Sequence, residues 1–411
     1  MYFCAAPWNH IKLNANGTWK HCCVFDSKSD KPFNGDIKDT SNHQSFKDLR
    51  KEMLWGDKPP VGCHDCVKDE ATAYSSSLRE LLNDTYADRI YDYKRFTEKD
   101  GTYNNFKLEY LDIRSSNLCN YKCRFCGIDS SSAWLADTKL VHDYTPPTAD
   151  NAGVMEANIP WEQLKKDLPY VRFIRLAGGE PLMMPGTYQL LDELIKIKNT
   201  KIKISVNTNG SFAKYGKRDI IELLSNFRDV SISLSLDGMN DAHAYLRSGK
   251  NDWEKVKNNI DMFVNSTQKQ KKSYIRVNFL SSISWLNSMH IVDFLTEYSK
   301  KLEGNVNFNF NPIYWPKHMN IGLLTQDQFN KVLDKINKSD LTSQLKNKYS
   351  KFLSTLYQAT KITSIEEKEQ LYKEFIKYNA VLDKSRNQNF AKTFPEWEDF
   401  YNKMLKKSTW Q

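Results

Sequence analysis

Short apolar runs alternate with longer stretches of helical periodicity through the middle of this chain. Leu108–Ile113, Val171–Ala177, Lys203–Val206, Val230–Gly238, Tyr274–Leu280 and Val306–Phe310 read as six strands. Between them, Tyr188–Lys198, Trp253–Val264 and Met289–Lys300 carry apolar residues at helical spacing. Strands that alternate with helices predict an α/β fold, an open partial (β/α)6 barrel. Residues 71–105 are charged, Tyr-rich and expected to be a helical connector. Residues 143–160, with Pro146, Pro147 and Gly153, read as a long loop that can act as a lid. Beyond Ile321 the pattern is amphipathic helix, Leu, Phe and Tyr among many Lys, with no evident chemistry. There, Leu382-Asp383-Lys384-Ser385-Arg386 and Phe394-Pro395-Glu396 are expected to serve capping and surface pairing, with substrate contact as the alternative. The pattern divides the chain into an N-terminal cysteine-rich module (1–70), the connector (71–105), the barrel (106–320) and a helical C-terminal region (321–411).

Composition narrows the class. An apolar fraction of 40% in 411 residues suffices for a folded core. The net charge of +9 is spread along the chain without a dense Lys/Arg block, so a solvated basic surface is expected and nucleic acid is not. The start, Met1-Tyr2-Phe3-Cys4, has no secretory pattern. No run approaches the ~18–20 apolar residues of a membrane span. A cytoplasmic location is therefore expected, where disulfides are rare. Eight cysteines then need another role, and their clustering points to metal.

Cys119, Cys123 and Cys126 stand in C-x3-C-x2-C spacing just after the first barrel strand. Three thiolates fit three irons of a four-iron cluster and leave one iron open. Structural zinc is the alternative and needs a fourth ligand, for which His142 is the nearest, distant candidate. Later strands run into Gly178-Gly179-Glu180-Pro181, Asn207-Thr208-Asn209-Gly210 and Ser235-Leu236-Asp237-Gly238, the last followed by His243 and Arg247. Glycines admit close backbone approach, and an amine needs acceptors. A lone motif of this kind is more often a turn or a surface pair; here several stand at successive strand ends, where a βα barrel keeps its chemistry.

This ordered set resembles the radical S-adenosylmethionine (SAM) superfamily. The resemblance implies that Cys119, Cys123 and Cys126 hold a [4Fe-4S] cluster. It implies that Phe125 lies near the adenine of SAM and that Gly178, Gly179 and Glu180 hold its methionine amine. Ser235 and Arg247 would bind its ribose or carboxylate, with Asn207 and Asp237 in the same cofactor-binding set. The planar fork of Arg247 suits a carboxylate. The Ser235-to-Arg247 segment is similar to that of family members that modify peptides and proteins.

Cys4, Cys22, Cys63 and Cys66 precede the barrel, with Gly17 between the first two and a Leu49-Arg50 helix before the last two. This run resembles the SPASM/twitch module, which implies a second, auxiliary [4Fe-4S] cluster. That module ordinarily follows the barrel; here it comes first. A zinc site with the same four thiolates is the alternative. Cys23 is either a substitute for Cys22 or a free thiol, and His21 and His64 are expected to be bystanders.

The resemblance implies an enzyme that reductively cleaves SAM to a 5′-deoxyadenosyl radical and abstracts hydrogen from a peptide or protein, as a maturase does. A sugar or cyclitol dehydrogenase is the small-molecule alternative, and a zinc-stabilised binding protein the non-enzymatic one. An electron donor such as flavodoxin or ferredoxin is the expected partner. The chain opens almost at Cys4, so no leader-gripping domain is expected ahead of it. An auxiliary cluster is expected near the open side of the barrel. No catalytic acid or base stands out.

Overall fold

The computed structural model describes residues 2–25, 31–32, 36–72, 77–141, 154–157, 159–249, 252–268, 274–302 and 306–408. Its strands are β1 (His10–Leu13), β2 (Thr18–Lys20), β3 (Lys31–Pro32), β4 (Tyr110–Ile113), β5 (Phe173–Leu176) and β6 (Lys203–Thr208). They continue with β7 (Lys214–Tyr215), β8 (Arg218–Asp219), β9 (Asp229–Ser235), β10 (Tyr274–Ile283) and β11 (Val306–Pro312). Nine form one sheet in the order β11-β10-β9-β6-β5-β4-β1-β2-β3, and β7 pairs with β8 as a separate hairpin.

The six strands expected from the pattern are β4, β5, β6, β9, β10 and β11, all parallel. Helices such as Pro185–Lys196, Trp253–Gln268 and His290–Leu302 connect them. Pro185 stands at the first helical position, where its missing N–H costs nothing. Apolar residues alternate along β9 and β10, so Ile232, Leu234, Val277 and Phe279 are buried against the helical layer. The opposite face carries Ser231, Ser233, Arg276 and Asn278, half-buried. Parallel strands covered on both faces are usually apolar throughout. The alternation here therefore marks an inner barrel face that is polar and accessible to water, not a packed core.

The N-terminal segment joins the same sheet. β1 lies parallel against β4, pairing His10 with Tyr110 and Leu13 with Ile113, and β2 and β3 follow antiparallel. Helix Gln44–Trp55 buries Leu49, Met53 and Leu54 in a second core with Phe3, Trp8, Leu82, Tyr86 and Tyr93. Arg50 of that helix is also fully buried. It donates to Pro7 O through Nε and Nη2 (3.0 and 2.7 Å) and to Gly101 O through Nη1 (3.2 Å). The same module reaches the far edge of the barrel, where Lys68 Nζ lies 3.5 Å from the Tyr314 ring centre, just past β11. Between β3 and β4, helices Leu78–Thr85 and Ile90–Arg95 fill the connector, the first closed by a Ser77–Glu80 capping box.

Helices Gln326–Lys338, Ser343–Thr360, Ile365–Arg386 and Glu398–Ser408 make up most of the C-terminal region. They pack over the barrel's upper rim, where Trp285 sits among Phe375, Phe390, Trp397 and Phe400. Within 143–160, residues 143–153 and 158 lie outside the described residues, as does His142. No described helix is long and apolar enough to cross a membrane.

Arg50→Ala removes the donors to two buried carbonyls. Each orphaned group costs about 1–3 kcal/mol, so the variant should unfold at a clearly lower denaturant concentration. An unchanged midpoint would show that Arg50 does not hold the N-terminal module together.

Candidate active site

The loop after β4 is held by its neighbours' backbones. Gly179 N donates to Ser116 O (3.1 Å) and Glu180 N to Leu118 O (2.7 Å). A Cβ on Gly178, whose φ is +116°, would stand 2.7 Å from Ser116 O, and one on Gly179 would stand 2.3 Å from Leu118 O. The two glycines are therefore a steric requirement of the cysteine loop. On its far side the loop bonds to the chain after helix Asn240–Leu246, Lys122 N to Ser248 O (2.6 Å) and Arg124 N to Leu246 O (2.8 Å). That segment carries Arg247.

This arrangement brings together Cys119, Cys123, Cys126, Gly178–Glu180, Asn209, Asp237 and Arg247. Cys119 Sγ accepts from Tyr121 N at 3.5 Å and from Asn209 Nδ2 at 3.9 Å. Arg247 Nη1 stands 3.8 Å from Cys123 Sγ, and its Nε lies 2.7 Å from Asp237 Oδ2. The Phe125 ring centre is 5.8 Å from the Arg247 guanidinium carbon. The Cys123 and Cys126 thiols hydrogen-bond each other, which lowers the pKa of Cys123 and raises that of Cys126. Burial pushes Cys119 up to about 12. Thiolates held in such a place need a strong local positive charge, which a cluster iron supplies.

Two residues of the expected cofactor set have partners within the protein. Glu180 is fully buried and accepts from Leu182 N (3.0 Å), Thr208 Oγ1 (2.7 Å) and Asn209 N (2.7 Å). Its carboxylate ties the end of β5 to the end of β6, and burial raises its pKa to about 7. Asp237 accepts from Ser282 N (2.7 Å) and faces Arg247. Asn207 and Ser235 lie half-buried on the polar inner face of β6 and β9. His243 is fully buried between Tyr121 and Trp253, and among the described residues neither ring nitrogen has a hydrogen-bond partner.

Sequence reading missed Arg124. It is fully buried in the cysteine loop and joins the C-terminal helix Ile365–Arg386. Its guanidinium donates to Asn379 Oδ1 (2.6 Å), Gln388 Oε1 (3.0 Å) and Asp383, and stacks 3.6 Å from the Tyr245 ring centre. Tyr378 donates to Arg124 O (2.6 Å). Arg386 pairs with Asp137 (2.9 Å), which also takes Lys122 (2.8 Å). Asp383 and Arg386, expected as surface groups, are thus parts of the clamp that holds the loop.

The second cysteine group lies around one place. Cys4, Cys22, Cys63 and Cys66 line one small enclosed cavity with Pro7, Phe25, Leu49, Met53 and Leu78. Cys4 accepts from Ala6 N–H and Cys22 from Val24 N–H, the same two-residue step that Tyr121 makes to Cys119. Burial pushes Cys4 and Cys63 up to about 12. Two buried and two half-buried thiols around one mostly apolar cavity suit a cationic metal centre. Among the described residues, no group of three or more His, Cys, Asp and Glu is drawn in around a single ion position. Cys23 does not line the cavity; its Sγ lies 3.6 Å from Arg175 Nη1, on the barrel side. Because β1 parallels β4, Cys4 lies before the N-terminal end of the strands and Cys119 beyond their C-terminal end. The second thiol group therefore lies towards the N-terminal end of β1, in the part of the sheet that extends past β4.

Residues 113–279 match the family profile described as Radical SAM superfamily, and the chain is an enzyme. The chain is 23% identical over 201 residues to the GTP 3′,8-cyclase of Campylobacter lari, covering 49% of this chain and 55% of that one. It is 28% identical over 156 residues to the GTP 3′,8-cyclase of Trichodesmium erythraeum, covering 37% and 43%. It thus spans about half the length of the curated relatives it matches. Similar solved structures include native anSMEcpe with bound AdoMet and Cp18Cys peptide, at a TM-score of 0.38 and 18% identity over 56% of this chain and 58% of that one. Streptococcus suis SuiB bound to S-adenosylmethionine gives a TM-score of 0.27 and 16% identity, over 65% and 64%.

Removing Asp383 leaves the Arg124 charge buried without its carboxylate, a change that typically costs about 3–5 kcal/mol. Asp383→Ala should lower the unfolding midpoint and reduce iron retained by the Cys119–Cys126 loop. Wild-type stability and iron content in this variant would show that the C-terminal helix does not secure the loop.

Proposed function

We propose, on the radical SAM superfamily segment at residues 113–279, that this enzyme reductively cleaves SAM and abstracts hydrogen from a substrate held inside the barrel. One observation carries the reading: three thiols, the Gly178–Glu180 turn and Arg247 meet at the C-terminal ends of separate parallel strands. When bound, the [4Fe-4S] cluster and SAM supply one-electron cleavage of the sulfonium and a hydrogen-abstracting carbon radical. Cys119, Cys123 and Cys126 are its proposed protein ligands. Tyr121 N–H, Asn209 and Arg247 soften the negative charge of the sulfurs by hydrogen bonding. Arg247 also offers a guanidinium edge to the methionine carboxylate, held in orientation by Asp237. Gly178 and Gly179 bring backbone close to the amine. Asn207 and Ser235 suit the ribose and Phe125 the adenine.

Cys4, Cys22, Cys63 and Cys66 are proposed to hold the auxiliary cluster at the foot of the barrel. There it can exchange an electron with a substrate lying between the two metal centres. A flavodoxin or ferredoxin is the proposed reductant. The Ser235-to-Arg247 segment supports a peptide or protein substrate. A small-molecule substrate is the second reading, favoured by the charged side chains that line the barrel interior.

Anaerobically purified protein should carry about eight irons. The Cys119, Cys123, Cys126→Ala triple variant should keep about four. Stoichiometric zinc in place of the second set would remove the auxiliary cluster. Reduced enzyme should turn SAM into 5′-deoxyadenosine, and Cys123→Ala should abolish this. Undiminished product from that variant would sink the assignment. Arg247→Lys keeps a cation opposite Asp237 but loses the fork. It should weaken SAM binding about tenfold to a hundredfold with iron unchanged, and wild-type affinity would make Arg247 purely structural.

A further inference from the structure

The inner barrel face changes character from foot to rim. Lowest is an aromatic row: His10, Tyr110 and Phe173 share one register, with ring centres 3.9 and 4.4 Å apart. Near the rim it is uncharged and polar, with Asn207, Ser233 and Asn278 in register. Between the two lies a charged row. Lys12 of β1, Asp112 of β4 and Arg175 of β5 are register partners, and Arg114 follows two residues past Asp112.

This row is not a set of matched ion pairs. Elsewhere arginines meet carboxylates closely, as Arg276 does Asp229 and Arg124 does Asp383. Here one fully buried carboxylate faces three cations. Arg114 Nε is 3.4 Å from Asp112 Oδ1, and Arg175 Nε is 4.0 Å from Oδ2. Charge-assisted pairs that close do so at about 2.7–2.9 Å. Among the described residues, the buried Asp112 Oδ2 and Arg175 Nε have no hydrogen-bond partner. The Arg114 and Arg175 side chains keep 29% and 30% of their surface exposed, so both can reach a ligand in the interior. Burial, with the nearby Arg114, lowers Lys12 to about 8. Lys20 of β2, the register partner of Lys12, adds to the same field.

We propose that Lys12, Arg114 and Arg175, arranged around Asp112, form a subsite for an anionic group of the substrate, a carboxylate or a phosphate. The subsite names the substrate chemistry of the site proposed above and rests on that reading. A group bound there would lie inside the barrel, between the two cysteine sets, with Cys23 on one side. Three donors on separate strand positions fix both the place and the orientation of a planar or tetrahedral anion, while Asp112 keeps the guanidinium groups aligned.

The test is calorimetric titration of reconstituted full-length enzyme with inorganic phosphate and, separately, with succinate. Binding of either is expected, phosphate pointing to a phosphate ester and succinate to a carboxylate. Arg175→Gln and, on a different strand, Lys12→Gln should each weaken it about tenfold or more. Lys335→Gln on the outer surface should leave it unchanged. Iron content reports whether each variant folds, and Arg175→Lys should restore part of the binding. Absence of binding by both probes, or binding untouched in folded Lys12→Gln and Arg175→Gln, would overturn the subsite. 5′-Deoxyadenosine formation is read in the same samples. Its absence from wild-type enzyme would sink the radical SAM reading whatever the calorimetry shows, and its retention in the variants separates the two.

Discussion

The close approach of two backbones, residues 116–118 against 178–180, is the constraint around which the rest is built. It tolerates no side chain at Gly178 or Gly179, and it fixes the loop that carries Cys119, Cys123 and Cys126. From this contact the order of the site propagates. Glu180 continues it into β6 through Thr208 and Asn209, and Asn209 turns back to Cys119. The cysteine loop then pairs with the segment bearing Arg247 and is locked from outside by Arg124. A hydrogen-bonded ring of strand ends thus closes on three thiols. Interactions of this kind are individually modest, but in a buried setting an unmade one is costly. The ring is therefore held as a unit.

The alternation of the barrel strands has a second consequence. β5, β6, β9 and β10 fully bury only one face and leave the other half-buried, within reach of a ligand. The enzyme has used that freedom to layer its interior, aromatic at the foot, charged at mid-height, and amide- and hydroxyl-bearing near the cysteines. Helices supply the stability on the outside, where each buried Leu, Ile or Val contributes roughly 1.5–3 kcal/mol. Function and stability are thus divided between the two faces of the same strands.

Much of this was legible in the sequence, because strand ends and motifs coincide. Cys119–Cys126, Gly178–Glu180 and Asp237–Arg247 each follow a strand, and six parallel strands bring such ends together. The register partners Lys12, Asp112 and Arg175 were not legible, since they are far apart in the chain and only strand pairing aligns them. Arg124 and Asp383 are separated by 259 residues, and nothing local marks either as buried. β10 runs on to Ile283, past the Ser281-Ser282 pair at which the pattern fades, because Ser281 Oγ donates to Leu236 O and Ser282 N to Asp237. The adjacent Cys22 and Cys23 could not be told apart until the cavity showed which of them faces it. The extension of the sheet by β1 gave no signal either, for His10–Leu13 is short and its partner lies in another region of the chain.

That partner lies about 100 residues downstream, at Tyr110. β1 cannot pair with β4 until β4 has been made, so during synthesis that pairing waits for the whole connector to emerge. Pairings of such long separation slow folding, because the entropy of closing the loop is lost before the contacts compensate. The cavity of Cys4, Cys22, Cys63 and Cys66 needs no barrel strand for its walls. Under the proposed reading, metal bound there would tie the early chain into a compact unit with β1 paired only to β2, leaving an edge on which β4 can form. The order of the two modules along the chain would then also be an order of assembly.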